Sequence, residues 1–353
     1  MDTAPAQDAG ARRPTLRAVA DAAEVSMATA SYVFSGRRGP GAGVSPATAQ
    51  RVREAAERLN YRPNRAARAI RTGRTEMVQL SLHMLGDPWS LAVAASVNEE
   101  AVRHGLTTLI LADGDWHAAL ERAESDVAYL DSVGDDPDTR RKLQSLVARG
   151  QRLVVFSETL EPDGFDVIRS DALPGCEIAM DALLTRHTAI GCLSSRSAVD
   201  GDRQGRRTRY SVYRERIAAA GLPPDPRLEA VYTDTPASAF AAAVELLSAP
   251  HRPTAIYATT DFAGIAAINA AHMLGLRVPH DVAVIGVGNT PDAHLVAPTL
   301  TTVGPTDFYR RQAEVIVGRA IQDPPEPPRV HEFAWSLHPG GSTDLDALRV
   351  TDL

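Results

Sequence analysis

Apolar residues recur at helical spacing near the start of the chain. Leu16, Val19, Ala20 and Ala23 occupy positions i, i+3, i+4 and i+7, and Thr15 precedes them as a candidate N-cap. This pattern predicts a short helix with one buried face.

Two more helices are predicted by the same pattern. One begins after the N-cap Ser26, and the next begins at Ser45-Pro46, where proline suits the first helical position. The residues expected to face the shared core are Ala30, Val33 and Phe34 in the second helix and Val52, Ala55, Ala56 and Leu59 in the third. The link at 23–25 is short enough for the turn of a helix-turn-helix.

The segment after the third helix predicts a further short helix. Asn64 is a candidate N-cap, and Gly73 is the expected end. About two turns of helix are too short to be stable alone, so we expect this helix to form on contact with DNA and a dimer mate. Ile70 lies among arginines and suits a wedge between base steps in the minor groove. An ordinary linker helix with an apolar contact to the body is the alternative.

Charge divides the chain into a basic head and an acidic remainder. Residues 1–75 contain 13 arginines and 6 acidic residues, whereas the remainder contains 24 basic and 38 acidic residues. Concentrated positive charge on a small helical unit predicts nucleic-acid binding. A merely solvated charge run is less favoured, because these arginines lie inside helical patterns.

From Met77 onward, short apolar runs alternate with helical stretches. The runs expected as buried strands are VQLSL, TTLILA, DVAYL, RLVVF, TAIGCLS, TAIYAT and VAVIGV. Such alternation predicts parallel sheets with helices on both faces, and two units in tandem predict a two-lobed body with a ligand cleft.

The predicted fold is thus an all-α helix-turn-helix head followed by an α/β two-lobed body. The expected parts are a disordered tail (1–14), the head (15–62), a hinge helix and linker (63–76) and the body (77–353). Within the body we expect a first lobe at about 77–171 plus 305–321 and a second lobe at about 172–304 plus 322–342.

The run TLRAVADAAEVSMATASYVFSG, followed by VSPATAQRVREAAERLNYRPNRAARAIRTGRT, resembles the LacI/GalR family of bacterial transcription regulators. A looser resemblance extends through DPW at 87–89 to GLRVPHDVAVIGVGNTPDAHLVAPTLTTV at 275–303. The resemblance implies a periplasmic-binding-protein-like body. It also implies a homodimer that binds a pseudo-palindromic operator, more often as a repressor, under the control of a small-molecule, sugar-like effector in the cleft.

The resemblance also implies which residues bind double-stranded DNA. Family positions that contact phosphate correspond to Thr15, Leu16, Ser26, Thr29 and Ser31. Positions that read base edges in the major groove correspond to Met27, Ala28 and Tyr32. The remaining expected DNA-binding residues are Thr48 and Tyr61 in the head and Asn64, Arg68 and Ile70 in the hinge.

This chain departs from the family pattern in the head. Tyr32 stands where many members have arginine, so bidentate guanine recognition is lost there. Glu24 occupies the usual turn glycine, which implies strain if that residue has a left-handed backbone. We therefore expect an operator sequence that is unusual within the family.

The effector site is expected at the carboxyl ends of the body strands. Trp89, Arg209, Asp261 and Asn289 are the predicted effector-binding residues, and His83 and Asp113 are further candidates. An aromatic ring could stack on a sugar, while charged groups could hold hydroxyls. However, Gly288 and Asn289 replace both carboxylates of the family's G-[FY]-D-D motif. The effector class therefore stays open, as does a degenerate cleft controlled by a partner protein.

Other function classes fit the sequence poorly. We expect no cofactor and no metal site, because Cys176 and Cys192 have no Cys or His at metal-ligand spacing. We expect no enzyme, because the chain has no nucleophile elbow, phosphate loop or acid pair. A plain solute-binding protein of the same fold would need an export signal and no basic head. No apolar run is long enough for a membrane, and we expect a cytoplasmic protein.

Overall fold

The computed structural model describes residues 14–35, 44–62, 69–70, 72–82, 87–112, 114–131, 133–233 and 235–344. The chain divides into two compact units, Met1–Thr75 and Glu76–Leu353, called here the head and the body. The predicted tail at 1–14 lies outside the described residues except for Pro14, as do four residues singled out from the sequence: Asn64, Arg68, His83 and Asp113.

The described part of the head contains α1 (Leu16–Ala22), α2 (Met27–Ser35) and α3 (Pro46–Arg58). The side chains of Thr15 and Ser45 cap α1 and α3, because each accepts a hydrogen bond from a backbone N–H in the first turn, at 3.3 and 3.1 Å. The buried core of the three helices consists of Val19, Ala20, Ala23, Ala30, Val52, Ala55 and Ala56. Helical spacing predicted all seven of these residues.

The prediction for Leu59 was wrong, because its side chain is 36% exposed. The chain leaves α3 through Asn60, whose φ of +49° turns the backbone sharply. Tyr61 then packs against Phe34, with 5.6 Å between ring centroids, and joins the head core. The left-handed turn at Asn60 redirects the chain, and the ring of Tyr61 therefore packs against the core in place of the Leu59 side chain.

The turn between α1 and α2 has the conformation expected at its glycine-like position. Glu24 has a φ of +53°. A side chain is unfavourable in this left-handed region, so the turn carries local strain.

The body contains twelve strands among its described residues. They are β1 (Met77–Leu82), β2 (Thr107–Ala112), β3 (Val127–Leu130), β4 (Leu153–Phe156), β5 (Asp166–Arg169), β6 (Ile190–Ser195), β7 (Glu229–Tyr232), β8 (Ala255–Ala258), β9 (Ala283–Val287), β10 (Thr301–Pro305), β11 (Val330–Glu332) and β12 (Trp335–His338). They form two six-stranded sheets, in the orders β11-β5-β4-β3-β1-β2 and β12-β10-β9-β8-β6-β7. Every pairing is parallel except that of β12 with β10.

Helices follow most strands of the body, as right-handed crossovers in parallel sheets require. They are α4 (Pro88–Arg103), α5 (Trp116–Arg122), α6 (Pro137–Ala148), α7 (Leu173–Leu184), α8 (Arg196–Arg203), α9 (Arg209–Ala219), α10 (Pro236–Ser248), α11 (Asp261–Met273) and α12 (Phe308–Ile321). Two 3₁₀ turns lie at Pro226–Leu228 and Pro291–His294. Each sheet has separate apolar clusters on its two faces, so each lobe has its own core.

The chain passes between the two lobes three times. It passes from β5 to α7, from β10 to α12, and from β11 to β12. Because α12 packs in the core of the first lobe with α4, its residues belong there. The three connections bring residues distant in sequence to the edge of the cleft.

One lobe assignment needs correction. Residues 322–342 were expected in the second lobe, but β11 pairs with β5 in the first sheet, with Val330 opposite Val167. Only β12 joins the second sheet, antiparallel to β10. A three-residue edge strand after a proline-rich loop has too little pattern to indicate which sheet it joins.

Candidate DNA-binding surface and effector cleft

The predicted base-reading residues lie on one exposed side of α2. Met27 and Tyr32 are 54% and 46% exposed, and Ala28 is also exposed. Ser31 lies one turn beyond Met27 and is half-buried. Residues four apart on a helix share a face, so these side chains form one continuous surface.

The predicted phosphate-contacting residues surround the helix starts. Ser26 is exposed, and its hydroxyl oxygen accepts a hydrogen bond from the Thr29 backbone N–H at 3.1 Å. The exposed Thr15 caps α1 in the same way, while Leu16 is half-buried against the head core. First-turn N–H groups without helical partners suit phosphate oxygens.

Thr48 and Tyr61, the two other predicted DNA-binding residues of the head, are both half-buried. Thr48 is half-buried, and its hydroxyl lies 2.9 Å from that of Ser45. Burial against the head core raises the pKa of the Tyr61 phenol above its usual value. Packing against Phe34 is thus a structural role for Tyr61, and DNA contact by its hydroxyl stays a prediction.

The hinge segment is partly described. Ala69, Ile70 and Thr72 are helical, and the Gly73 N–H donates to the Ala69 carbonyl at 2.7 Å. Gly73 has a φ of +66°, the conformation that commonly ends a helix. Ile70 is 88% exposed, the condition that an inserted apolar wedge requires.

An inner cavity of about 200 Å³ lies in the cleft between the lobes. Its aromatic lining consists of Trp89, Phe156, Phe262, Phe308 and Trp335. Trp89 lies 5.2 Å from Phe156 and 6.0 Å from Phe308 between ring centroids, so three of these rings form one cluster in the first lobe. Flat apolar walls of this kind suit the face of a sugar or another ring.

Arg209 lies in this cavity, as predicted, at the first position of α9. Thr208 caps the helix by accepting from the Ser211 N–H at 3.3 Å, and the Ser211 hydroxyl accepts from the Thr208 N–H at 2.9 Å. The Arg209 guanidinium donates to the Thr259 carbonyl at 2.8 Å. The remaining guanidinium N–H groups can face a ligand.

Asp261 also lines the cavity, but its carboxylate is largely occupied. It accepts from the Thr290 N–H at 2.6 Å and from the Thr302 hydroxyl at 2.5 Å. Burial raises the pKa of Asp261, although these hydrogen bonds oppose the shift. The group thus connects α11 with the β9–β10 turn and β10.

Asn289 does not line the inner cavity, contrary to the sequence-based expectation. Its amide nitrogen donates to the Pro305 carbonyl at 3.1 Å, and its amide oxygen lies 2.9 Å from the His294 ring. With a φ of +50°, the residue forms the turn after β9. The turn geometry directs this side chain towards the connection between lobes.

Sequence reasoning missed a first-lobe carboxylate, Glu158. It lines the cavity and has no hydrogen-bond partner among the residues that the structure describes. Burial and the nearby charge of Asp171 raise its pKa, while Arg209 opposes the shift. The cleft thus combines an uncommitted carboxylate from one lobe with a guanidinium from the other. Glu158 follows β4 in a loop, and no motif indicates it.

Two other properties bear on function. Within the described ranges, no group of three or more His, Cys, Asp or Glu side chains is arranged to hold a metal ion. None of the helices described is both long enough and apolar enough to cross a membrane.

Comparisons with known proteins found relatives of both the head and the body. Residues 15–64 match the family described as bacterial regulatory proteins, lacI family, and residues 183–343 match the periplasmic binding protein-like domain. The regulator DegA of Bacillus subtilis (strain 168) is 30% identical, with 82% of this chain and 86% of DegA covered. The regulator CelR of Thermobifida fusca is 31% identical, with 90% of this chain and 95% of CelR covered.

Solved structures agree with this relationship. The complex of the transcriptional regulator CelR with cellobiose is 27% identical, has a TM-score of 0.57 and covers 94% of this chain and 100% of its own. The Lac repressor dimer bound to operator and the anti-inducer ONPF has a TM-score of 0.67 and covers 94% of this chain and 99% of its own. At 20% identity, the second likeness shows the fold alone.

The relatives are transcription regulators, a class of proteins that are not enzymes. The chain therefore belongs to the lacI family of bacterial regulatory proteins and is a DNA-binding transcription regulator with a small-molecule effector domain.

Proposed function

We propose that this regulator is a homodimeric repressor in which two heads bind the halves of a pseudo-palindromic operator. The observation that carries the proposal is the exposed face of α2, which presents Met27, Ala28 and Tyr32 on a helix held by a complete buried core. Apolar side chains exposed on a small domain are costly unless they meet a partner. Thymine methyl groups in the major groove are such partners.

The dimer is supported by apolar side chains on the body surface. β2 is an edge strand of the first sheet, and its Leu109 and Ile110 are each 43% exposed. In the second lobe, Leu295 is 81% exposed and Met273 is 58% exposed. An exposed apolar edge strand invites pairing with another chain, and both lobes would contribute to such an interface.

The effector is proposed to bind in the cleft and to alter operator affinity by changing the relative position of the lobes. Arg209 and Glu158 belong to different lobes and face the same cavity, so a ligand that contacts both favours one lobe arrangement. The cellobiose named in the CelR complex supports a sugar-like ligand class. Control by a partner protein through a degenerate cleft is less supported, because these polar groups remain available for a ligand.

The experiment is sedimentation velocity with the full chain, alone and with operator DNA, for wild type and Leu295→Arg. We expect a dimer that binds one duplex, and a variant that shifts towards monomer and loses operator affinity. Asp163→Arg is the matched control, because Asp163 is an exposed polar residue in a loop of the first lobe. A wild-type monomer that binds operator at full affinity would contradict the proposal.

A further inference from the structure

The cleft contains an outer chamber of about 450 Å³ beside the inner cavity. The two share Asp87, Glu158, Ala172, Arg209, Thr260 and Phe262. The outer chamber differs from the inner one in lacking most of the aromatic lining and in containing three arginines. A ligand that fills the inner cavity therefore meets a polar region where it extends outward.

The three arginines are Arg206, Arg207 and Arg209, in the loop before α9 and in its first turn. Arg207 is neutralised, because its guanidinium pairs with Glu177 and with Glu215, to which it donates at 2.7 and 3.0 Å. It contributes little attraction for a further anion.

Arg206 and Arg209 differ from Arg207 in their ion pairing. Among the residues that the structure describes, no carboxylate lies within ion-pair distance of either guanidinium. The Arg206 guanidinium donates a long hydrogen bond, 3.4 Å, to the Gln204 amide oxygen. Two guanidinium groups without a directly paired carboxylate among the described residues therefore border one side of a chamber that is also lined by Ser197 and Thr208.

The opposite side of the chamber carries carboxylates. Asp87 and Glu158 belong to the first lobe, and the arginines belong to the second. Asp87 caps α4 by accepting from the Trp89 N–H at 3.1 Å, whereas Glu158 has no such partner among the described residues. In the outer chamber, the carboxylates therefore belong to the first lobe and the arginines to the second, and both carboxylates also border the aromatic cavity.

We propose that the outer chamber binds an acid group of the effector, a carboxylate or a phosphate, between Arg206 and Arg209. The inference rests on the proposed effector role of the cleft. The ring of the effector occupies the inner aromatic cavity, where Glu158 accepts hydrogen bonds from its hydroxyls. A neutral sugar leaves both guanidinium groups without an anionic partner, whereas an acid forms charge-assisted, bidentate hydrogen bonds with them.

The first experiment uses simple anions with the full chain at constant ionic strength. Isothermal titration with inorganic phosphate and with acetate is compared for wild type, Arg206→Gln and Arg203→Gln. Arg203 provides the matched control, because it is an exposed arginine of α8 outside the chamber. We expect saturable binding that Arg206→Gln weakens about tenfold and Arg203→Gln leaves unchanged. Anion binding to the basic head is the same in all three proteins and cancels in the comparison.

The second experiment compares glucose, glucuronate and glucose 6-phosphate, which share a ring and differ in the acid group. We expect at least one acid to bind about tenfold or more tightly than glucose, and Arg206→Gln to abolish that preference. Tighter binding of glucose 6-phosphate would indicate that the acid group of the effector is a phosphate. Tighter binding of glucuronate would indicate a carboxylate. Absence of saturable binding by every acid probe, or a preference that survives Arg206→Gln, overturns the inference. Operator selection with and without the acid probes tests the proposed operator binding separately from the acid site.

Discussion

The guanidinium of Arg209 lies over the ring of Trp335, with 5.8 Å between Cζ and the ring centroid. The indole N–H of Trp335 donates to the Ser170 hydroxyl at 2.9 Å, next to a connection between the lobes. One aromatic ring therefore contacts both the predicted effector-binding arginine and a segment that connects the two lobes. The position of Trp335 should influence both ligand affinity and lobe closure.

Gly175→Ala should destabilise the body. A Cβ on Gly175 would lie 2.5 Å from Cε3 of Trp335 and 3.0 Å from its Cβ, so the ring must move. Overpacking of this kind costs about 1–3 kcal/mol. Chemical denaturation monitored by circular dichroism measures the change.

Gly318→Ala is the control for that substitution. Gly318 is also helical, and a Cβ there meets no atom of the described residues within 4 Å outside its own helix and chain neighbours. Alanine should stabilise α12 by about 0.5–1 kcal/mol. Equal stability of the two variants would show that the contact between Gly175 and Trp335 is not tight in solution.

Asp261→Asn should change how stability depends on pH. Burial raises the folded-state pKa of Asp261, so the folded protein binds this proton more strongly than the unfolded chain does. The wild type should therefore gain free energy of unfolding relative to the variant as pH falls from 7 towards the ordinary aspartate range. Paired denaturation curves from pH 7 to pH 4 provide the measurement.

Asp281→Asn is the control in the same experiment. Arg277 holds the pKa of Asp281 below its usual range, so the folded protein keeps this carboxylate ionised across that pH interval. The stability difference between Asp281→Asn and wild type should stay constant down to about pH 5, because the unfolded-state aspartate pKa is about 3.9 and protonation of the unfolded chain begins about one unit above it. A difference between wild type and Asp261→Asn that is also independent of pH would refute the raised pKa.

The head could be predicted from sequence more completely than the cleft. Local spacing determines which side chains of three short helices meet, so Val19, Ala30 and Val52 follow from the sequence. The predicted burial of Leu59 was wrong because the left-handed residue after the helix changes the direction of the chain. Helical spacing in the sequence does not indicate that change. The predicted major-groove surface of α2 is exposed in the structure because Ala30, Val33 and Phe34 turn the other side of the helix towards the head core.

The cleft was only partly predictable, because it is formed by tertiary topology. Trp89 and Asp261 lie in the first turns of helices that follow strands, and this position indicates a site in parallel sheets. Arg209 begins α9, the second helix after β6. Glu158 lies in a loop, and Trp335 arrives on a four-residue edge strand after the third connection between lobes. Neither position has a local pattern that links it to the others.

Glu24→Gly should stabilise the head. A side chain in the left-handed conformation costs about 1–2 kcal/mol, and glycine adopts it freely, so we expect a net gain of about 1 kcal/mol. Amide hydrogen exchange in α1 and α2 of the full chain measures the opening free energy. Glu57→Gly, in the right-handed last turn of α3, should instead destabilise the head, by up to about 1 kcal/mol. Slower exchange in both variants, or in neither, would contradict the strain assigned to Glu24.

Tyr32→Arg should change base preference at one position in each operator half-site. Arginine can donate two hydrogen bonds to guanine, whereas tyrosine cannot, and a bidentate pair contributes about 1–3 kcal/mol of discrimination. Leu59→Arg adds the same charge at the exposed C-cap of α3 and should raise affinity for all sequences without altering preference. An unchanged preference in Tyr32→Arg would remove this residue from the reading surface.

The most direct test of operator recognition is selection from a random duplex DNA library with the purified full chain, followed by salt-dependent binding to the enriched site. We predict an inverted repeat with two equivalent half-sites, a steep loss of affinity with added salt, and a half-site that changes in Tyr32→Arg. Enrichment of no sequence, or of a single site without a repeat, would contradict a dimer that reads its operator through α2.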